Sequence, residues 1–238
     1  MKHVLIVCSI HQEAGKATAG ELGWLLDQLR PHVLFLECSP HDFPAFQDGH
    51  YSTLESAVVM AYHGRNEVVL VPVDLPLPDA KTLKSKFDEL IEWVKAKSPH
   101  YCALDLMTIQ HTEKGGFAYL NSTLNFQIEF EMQREMQATV EAFGDPQLHE
   151  LYELWVLTND RREQEMINRV AAFASHNSFK RGVLLIGAAH RPSLFEKLQC
   201  PHSVGAGIVT WDFAWQHEVA SLDSEAKPDD DQIGLKSR

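Results

Sequence analysis

Four short apolar runs without polar alternation most constrain the fold of this chain. They cover residues 4–10 (VLIVCSI), 33–36 (VLFL), 67–73 (EVVLVPV) and 183–186 (VLLI). A strand that lacks alternation is typical of a sheet covered on both faces, as in α/β proteins. Amphipathic segments separate the runs, and the segment 16–30 has leucines at helical spacing. The sequence therefore predicts an α/β fold with a mainly parallel central sheet flanked by helices.

The length and the hydrophobic pattern of the chain predict one domain over residues 1–220. A chain of 238 residues that is 45% hydrophobic can bury a sizeable core. The pattern of residues 77–158 is typical of long polar helices, which predicts a helical insertion or lid. Alternatively, the apolar faces of these helices form a homodimer interface. Residues 207–213 (GIVTWDF) alternate, as in an edge strand. Residues 221–238 have almost no apolar side chains, which predicts a disordered tail.

Charge and apolar length argue against several partners. The net charge of −12 leaves no basic surface for a nucleic-acid backbone, and no apolar run approaches the roughly 20 residues that span a bilayer. The run 4–10 is also too short and too weakly flanked for a signal peptide, so we expect a cytoplasmic protein.

The four cysteines argue against a structural metal site or a disulfide framework. Cys8, Cys38, Cys102 and Cys200 lie far apart and show no CxxC spacing. Cys8 and Cys38 fall in or beside predicted strands, and we expect them to be small buried apolar side chains.

Polar residues follow the ends of four predicted strands. These residues are His11, Glu37, Asp74 and His190. Because the carboxyl ends of parallel strands meet at one edge of a sheet, we expect these side chains to lie close together. Two alternatives are open: His190 as a loop histidine that caps the next helix, and Glu37 turned outward into solvent.

An arginine is predicted to point toward this edge. The segment 158–160 (TND) is a helix N-cap signature and predicts a helix that runs to about residue 174. Arg162 lies one turn before Met166 on the apolar face of that helix. An inward arginine pairs with a carboxylate or an anionic ligand. The alternative is that Arg162 reaches out to solvent.

Two imidazoles and a carboxylate at one edge are typical ligands of a divalent metal with an open position for water. Such a metal produces hydroxide near neutral pH, which is hydrolytic chemistry. We predict His11, Glu37 and His190 as ligands, with Glu13 and Asp74 of second rank. Without a metal, the same groups supply a general base and a general acid. The chain has no GxSxG, P-loop, GxGxxG or HExxH motif.

The order of these motifs resembles a known superfamily. The segments are CSIHQEAGK, PHVLFLE, VVLVPVD, NDRREQEM and GVLLIGAAH. They are similar to the TraB, TIKI, ChaN and erythromycin-esterase superfamily. Its pattern is a strand ending in GxxH, a glutamate closing the next strand, an Arg-Asp-x-x-Met helix and a second GxxH. The chain departs from it at Cys8, where the family has glycine, and at Glu163, where aspartate is usual.

The resemblance implies roles for the matching residues. His11 and His190 correspond to the two motif histidines, Glu37 to the glutamate, and Arg162 with Met166 to the helix motif. Members are regarded as hydrolases of peptide or lactone bonds, several of them metal-dependent, and some relatives only bind ligands.

Taken together, the residues and the resemblance predict a metal-dependent hydrolase of peptide, amide or ester/lactone bonds. Its catalytic residues are His11, Glu37, His190 and Arg162, where Arg162 orients Glu37 or holds an anionic substrate. The metal is Mn, Co or Zn, and the substrate is a small molecule or a peptide. One alternative is a non-catalytic protein that binds a small molecule or haem in the same cleft. Another is an interaction module built on the central helices.

Overall fold

The computed structural model describes residues 2–50, 52–199 and 207–215. In this part of the chain, five strands form one sheet: β1 (Lys2–Ser9), β2 (Val33–Leu36), β3 (Val69–Pro72), β4 (Arg181–Gly187) and β5 (Val209–Asp212). Their order is β3-β2-β4-β1-β5, and every pairing is parallel. The predicted α/β fold with a parallel sheet is confirmed, and β5 lies at an edge as expected.

The described residues also form eight α-helices. They are α1 (Ala19–Leu29), α2 (Phe43–Gln47), α3 (Leu54–His63), α4 (Ala80–Lys97), α5 (Pro99–Leu120), α6 (Thr123–Phe143), α7 (Pro146–His176) and α8 (Arg191–Gln199). A single 3-10 turn, Ala188–His190, joins β4 to α8.

The core lies around the central strands. All four residues of β2 are buried, as are Val183 to Ile186 of β4. Because both faces of these strands meet apolar side chains, their sequences show no alternation. The leucines of α1 at positions 22, 25, 26 and 29 are buried as their helical spacing predicts.

The central helices have a small apolar core of their own. It consists of Leu90, Val94, Tyr101, Met136 and Val140, from α4, α5 and α6. Side chains from the first two turns and a half of α7 pack against it. This second cluster gives the polar region 77–158 its own apolar centre, next to the main core.

Two local predictions about these helices are wrong. The segment 158–160 does not begin a helix, because α7 runs without a break from Pro146 to His176 and passes through the expected boundary of the insertion at 158. The pair Gly115-Gly116 predicts a mobile loop over residues 111–122, but α5 continues to Leu120 with one non-helical residue, Gly116, at φ 55° and ψ −142°. Tertiary packing outweighs these local signals for caps and breaks.

The remaining predictions concern the cysteines, membrane-spanning helices and the last residues of the chain. Cys8 and Cys38 are buried free thiols, as expected. Within the described ranges, no helix combines the length and apolarity needed to cross a bilayer. Cys200 and the tail 221–238 lie outside the described residues.

Candidate active site

The register of the sheet brings four strand ends to one edge. Leu36 of β2 pairs with Pro72 of β3 and with Leu185 of β4, while Ser9 of β1 pairs with Gly187 of β4. Because all strands are parallel, the residues that follow them emerge on the same side. Glu37, Asp74, His11 and His190 therefore share the carboxyl edge, as the sequence predicts.

Arg162 of α7 joins two of these strand ends. Its Nη2 atom donates to Oε1 of Glu37 at 2.6 Å and to Oδ2 of Asp74 at 2.8 Å, and its Nε atom donates to Oδ1 of Asp74 at 3.1 Å. Burial opposes the guanidinium charge, but the two carboxylates outweigh burial and raise the pKa of Arg162. Arg162 points inward, and it pairs with Glu37 as expected.

Glu37 contacts the sheet backbone and His190 as well as Arg162. Besides Arg162, its Oε2 atom accepts from the backbone N–H of Gly187 at 2.7 Å, and its Oε1 atom lies 3.4 Å from Nε2 of His190. Burial alone would raise the pKa of Glu37. The charge and contact of His190, with Arg162 and the Gly187 N–H, instead hold that pKa well below its ordinary value.

His190 is buried between two carboxylates. Its Nδ1 atom lies 2.7 Å from Oε1 of Glu163 on one side, and its Nε2 atom faces Glu37 on the other. Burial disfavours the imidazolium, but the two acids outweigh burial and raise the pKa of His190 to about 9. His190 is therefore a cation at neutral pH, and its ring contacts carboxylates instead of capping the next helix.

Glu163 holds His190 and was not predicted as a site residue. Its side chain is 3% exposed, and its Oε2 atom accepts from Ser193 Oγ and, at 2.7 Å, from Lys197 Nζ. Burial alone would raise the pKa of Glu163, but His190, Lys197 and Ser193 lower it. A signal was present: positions 163, 167, 170 and 174 have helical spacing, and the last three are apolar.

His11 is held by a carboxylate from α3. Its Nδ1 atom lies 3.1 Å from Oε1 of Glu55, which also accepts from Ser9 Oγ at 2.8 Å. The His11 side chain is 67% exposed, whereas that of Glu55 is 12% exposed. The hydrogen bond with Glu55 raises the pKa of His11.

The local sequence explains why Glu55 is fixed. A capping box between Thr53 and Ser56 begins α3, and the backbone N–H of Leu54 donates to the carbonyl of His11 at 2.8 Å. The first turn of α3 is thereby tied to the segment that carries His11. Sequence reasoning missed Glu55 because its partner lies 44 residues away along the chain.

Glu13, expected as a second-rank acid, has a structural contact instead. Its carboxylate accepts from the backbone N–H of Ala19 at the start of α1, at 2.8 Å. The structure does not bring it into the network of Glu37 and Arg162.

The predicted metal ligands do not form a metal site in this arrangement. Among residues 2–50, 52–199 and 207–215, no group of three or more His, Cys, Asp or Glu side chains is placed to hold a metal ion. Glu37 is bonded to Arg162, and Nη1 of Arg162 lies 3.5 Å from Nε2 of His190. A guanidinium in that position would repel a divalent cation, so these side chains as arranged do not fit one.

His11 and His190 line one cleft of about 650 Å³, together with Arg162 and Glu163. Helices α4, α6 and α7 also line it, with polar side chains such as Gln133 and Asp160 and with a set of apolar and aromatic side chains: Phe87, Ile91, Phe130, Tyr152, Trp155 and Val156. An adjoining cavity of about 350 Å³ shares His11 and Arg162 and contains Glu37, Glu55 and Asp74. The helices of region 77–158 thus form a wall over the polar edge of the sheet.

The cleft is lined by two histidines that differ in their ability to accept or donate a proton. His11 is an accessible imidazole with a carboxylate behind it, and His190 is a buried imidazolium between two carboxylates. No hydrogen bond joins the two rings to each other in the part of the chain that the structure describes. Comparison with protein-family models, with curated proteins and with solved structures finds no match for this chain.

Proposed function

We propose that this chain is a hydrolase that cleaves a peptide, amide or ester/lactone bond in the cleft. The observation that carries the proposal is that two strand-end histidines line one cleft, each beside a carboxylate: His11 with Glu55, and His190 with Glu163. A site with one group to accept a proton and another to give one is suited to hydrolysis at neutral pH.

His11 is the general base in this proposal. With its Nδ1–H directed at Glu55, the neutral ring leaves Nε2 to take a proton from water. The side chain is also exposed enough for water to reach it. The oxygen of that water forms a bond to the substrate carbonyl carbon as His11 accepts the proton.

His190 is the general acid. Its pKa of about 9 keeps it protonated at neutral pH, and it is flanked by Glu37 and Glu163. When the C–O or C–N bond breaks, the proton of His190 passes to the leaving oxygen or nitrogen, and the proton taken by His11 later restores His190 through solvent. Arg162 is a positioning residue, since it holds Glu37 against His190.

A metal-dependent hydrolase is the alternative form of this proposal. It requires Glu37 to leave Arg162 and both imidazoles to turn toward a shared ion such as Mn, Co or Zn. The resemblance to the TraB, TIKI, ChaN and erythromycin-esterase superfamily supports either form, because several members of that superfamily use metals. Membership of that superfamily is part of the proposal and rests on the motif residues.

Ligand binding without turnover is a second candidate function. The observation that favours it is the aromatic part of the cleft wall, which includes Phe87, Tyr152 and Trp155 and lines the same cleft as the exposed imidazole of His11. Such a wall suits a flat apolar small molecule or haem.

A substrate screen tests these proposals. The purified full chain is assayed against chromogenic esters, lactones and N-acyl amides, with and without EDTA, and then with added Mn²⁺, Co²⁺ or Zn²⁺. We expect turnover that resists EDTA and is lost in both His11→Ala and His190→Ala. Turnover that needs added metal would support the metal-dependent form. A Soret band on haem addition without turnover of any substrate would support the binding protein.

A further inference from the structure

A separate cavity, of about 500 Å³, lies beside Arg191 and shares no lining residue with the cleft or with the cavity that adjoins it. Its wall comes from the end of α5, the start of α6, α8 and the segment after β5. Arg191 directly follows His190 in the chain but faces this other cavity. None of the catalytic roles proposed above involves it.

Arg191 brings a buried positive charge to the cavity. The residue is 7% exposed, and its guanidinium donates to two backbone carbonyls, those of Ser122 and Phe213. A guanidinium has five N–H donors and stays charged at every physiological pH, so donors are left over. Within the described residues, no Asp or Glu forms an ion pair with Arg191. Burial accordingly lowers its pKa, with no carboxylate to oppose that effect.

Three phenylalanine rings contribute to the rest of the wall, beside Asn121, Ser122, Thr123 and two alanines. The ring of Phe195 meets the rings of Phe126 and Phe213 edge to face, each with centroids 5.3 Å apart. The guanidinium of Arg191 lies 5.8 Å from the centroid of Phe126. All three rings line the cavity. Apolar surface around one buried cation is complementary to an apolar molecule that carries one negative charge.

We propose that this cavity binds an organic carboxylate with an apolar or aromatic body. The carboxylate pairs with the remaining donors of Arg191, and the body packs among Phe126, Phe195 and Phe213. Arginine and carboxylate form charge-assisted hydrogen bonds that are stronger than neutral ones, and more so away from water. The proposal concerns a different cavity from the cleft, and it stands whether or not the chain is a hydrolase.

Calorimetric titration of the full chain with a matched pair of probes tests this. The probes are 3-phenylpropionate and its uncharged analogue 3-phenylpropanamide, which differ in the charge that Arg191 would recognise. We expect the acid to bind about tenfold more tightly than the amide or better. Arg191→Met should remove that preference. The control is Arg65→Met, which changes an exposed arginine just after α3 and should keep the preference.

A second variant guards against loss of folding in Arg191→Met. Ala118 lies at the exposed rim of the cavity, so Ala118→Phe should block entry and leave the buried contacts of Arg191 in place. We expect it to lower affinity for the acid at least about tenfold with an unchanged circular dichroism spectrum. Equal binding of acid and amide would overturn the proposal. So would binding that survives in Ala118→Phe, or no heat from the acid up to about 10 mM.

Discussion

Glu163 and His190 form a buried pair whose atoms Oε1 and Nδ1 lie 2.7 Å apart. Glu163 is itself held from behind by Lys197 and Ser193 of α8. Its charge is therefore fixed in position before any ligand enters the cleft. The protonation state of His190 therefore depends on Glu163, a residue that does not itself need to contact a substrate.

Replacing Glu163 with glutamine should lower the pKa of His190. The pKa of about 9 exceeds the ordinary value of 6.5, so the contacts of His190 with Glu37 and Glu163 together stabilise the fold fully below pH 6.5 and lose that effect as pH rises toward 9. In Glu163→Gln we expect the pKa to fall toward 6.5, measured by NMR titration of the imidazole. Glu165→Gln, which breaks a pair with Arg169 on the same helix, is the control. An unchanged pKa of His190 in Glu163→Gln would contradict this account.

Replacing Glu55 with glutamine should shift the pH profile of the proposed hydrolysis. Glu55 raises the pKa of His11, and a general base works only in its neutral form. In Glu55→Gln the basic form should therefore persist to lower pH, while kcat falls because the ring is less well oriented. We expect a loss of up to about 10²-fold, and about 10²- to 10⁴-fold for His11→Ala. Exposed Glu67→Gln is the control, and a profile identical in all three variants would argue against His11 as the base.

Replacing Glu129 of α6 with glutamine should stabilise the protein at alkaline pH. The residue is 9% exposed, and burial raises its pKa to about 7 from an ordinary 4.5. A carboxyl group with a raised pKa does not lower the free energy of unfolding below pH 4.5. Above pH 7 it lowers that free energy by its full amount, here on the order of 3 kcal/mol. Urea unfolding at pH 5 and pH 8 measures this.

The increase in the free energy of unfolding caused by Glu129→Gln should be clearly larger at pH 8 than at pH 5. Glu131→Gln, at a more exposed position on the same helix, serves as the control and should show no such gain. Equal gains for Glu129→Gln at the two pH values would mean that the carboxyl group is not the cause.

Replacing Gly116 with alanine should destabilise the protein. Gly116 has φ 55°, which side-chain-bearing residues rarely adopt, and a Cβ atom there would collide with the carboxylate of Glu21. That carboxylate accepts from the backbone N–H of Phe117 at 3.1 Å, so the collision also breaks a tie between α1 and α5. We expect a loss of about 2 kcal/mol or more in thermal or urea unfolding.

Gly23→Ala in α1 is the matched control for Gly116→Ala. Its added Cβ atom meets only a methyl group of Val58, at 3.9 Å, and alanine favours a helix by up to about 1 kcal/mol. This variant should be neutral or slightly stabilising. If both alanine variants behave alike, the kink at Gly116 does not depend on glycine.

The strand ends were predictable because they follow from topology. Continuous apolar runs indicated a parallel sheet, and parallel strands place the residues after them on one side, which brought Glu37, Asp74 and His190 together. The pairing of Arg162 with Glu37 was also within reach, since a buried carboxylate needs a partner.

The partners Glu55 and Glu163 were harder to predict. Both lie on amphipathic helices, where a glutamate is usually exposed, and each binds a histidine that is remote in the sequence. The single helix α7 was missed for a related reason. The segment 158–160 is suited to a helix start, but packing of both halves of α7 against other elements decides the outcome.

The unbroken α7 contributes both aromatic and charged residues to the lining of the cleft. Trp155 and Arg162 are seven residues apart on this helix, two turns or about 10 Å, so they lie on the same side of one stiff rod. A ligand that displaces the helix at Trp155 would therefore also shift the guanidinium that holds Glu37. The aromatic and the charged parts of the cleft thus depend on the position of the same helix.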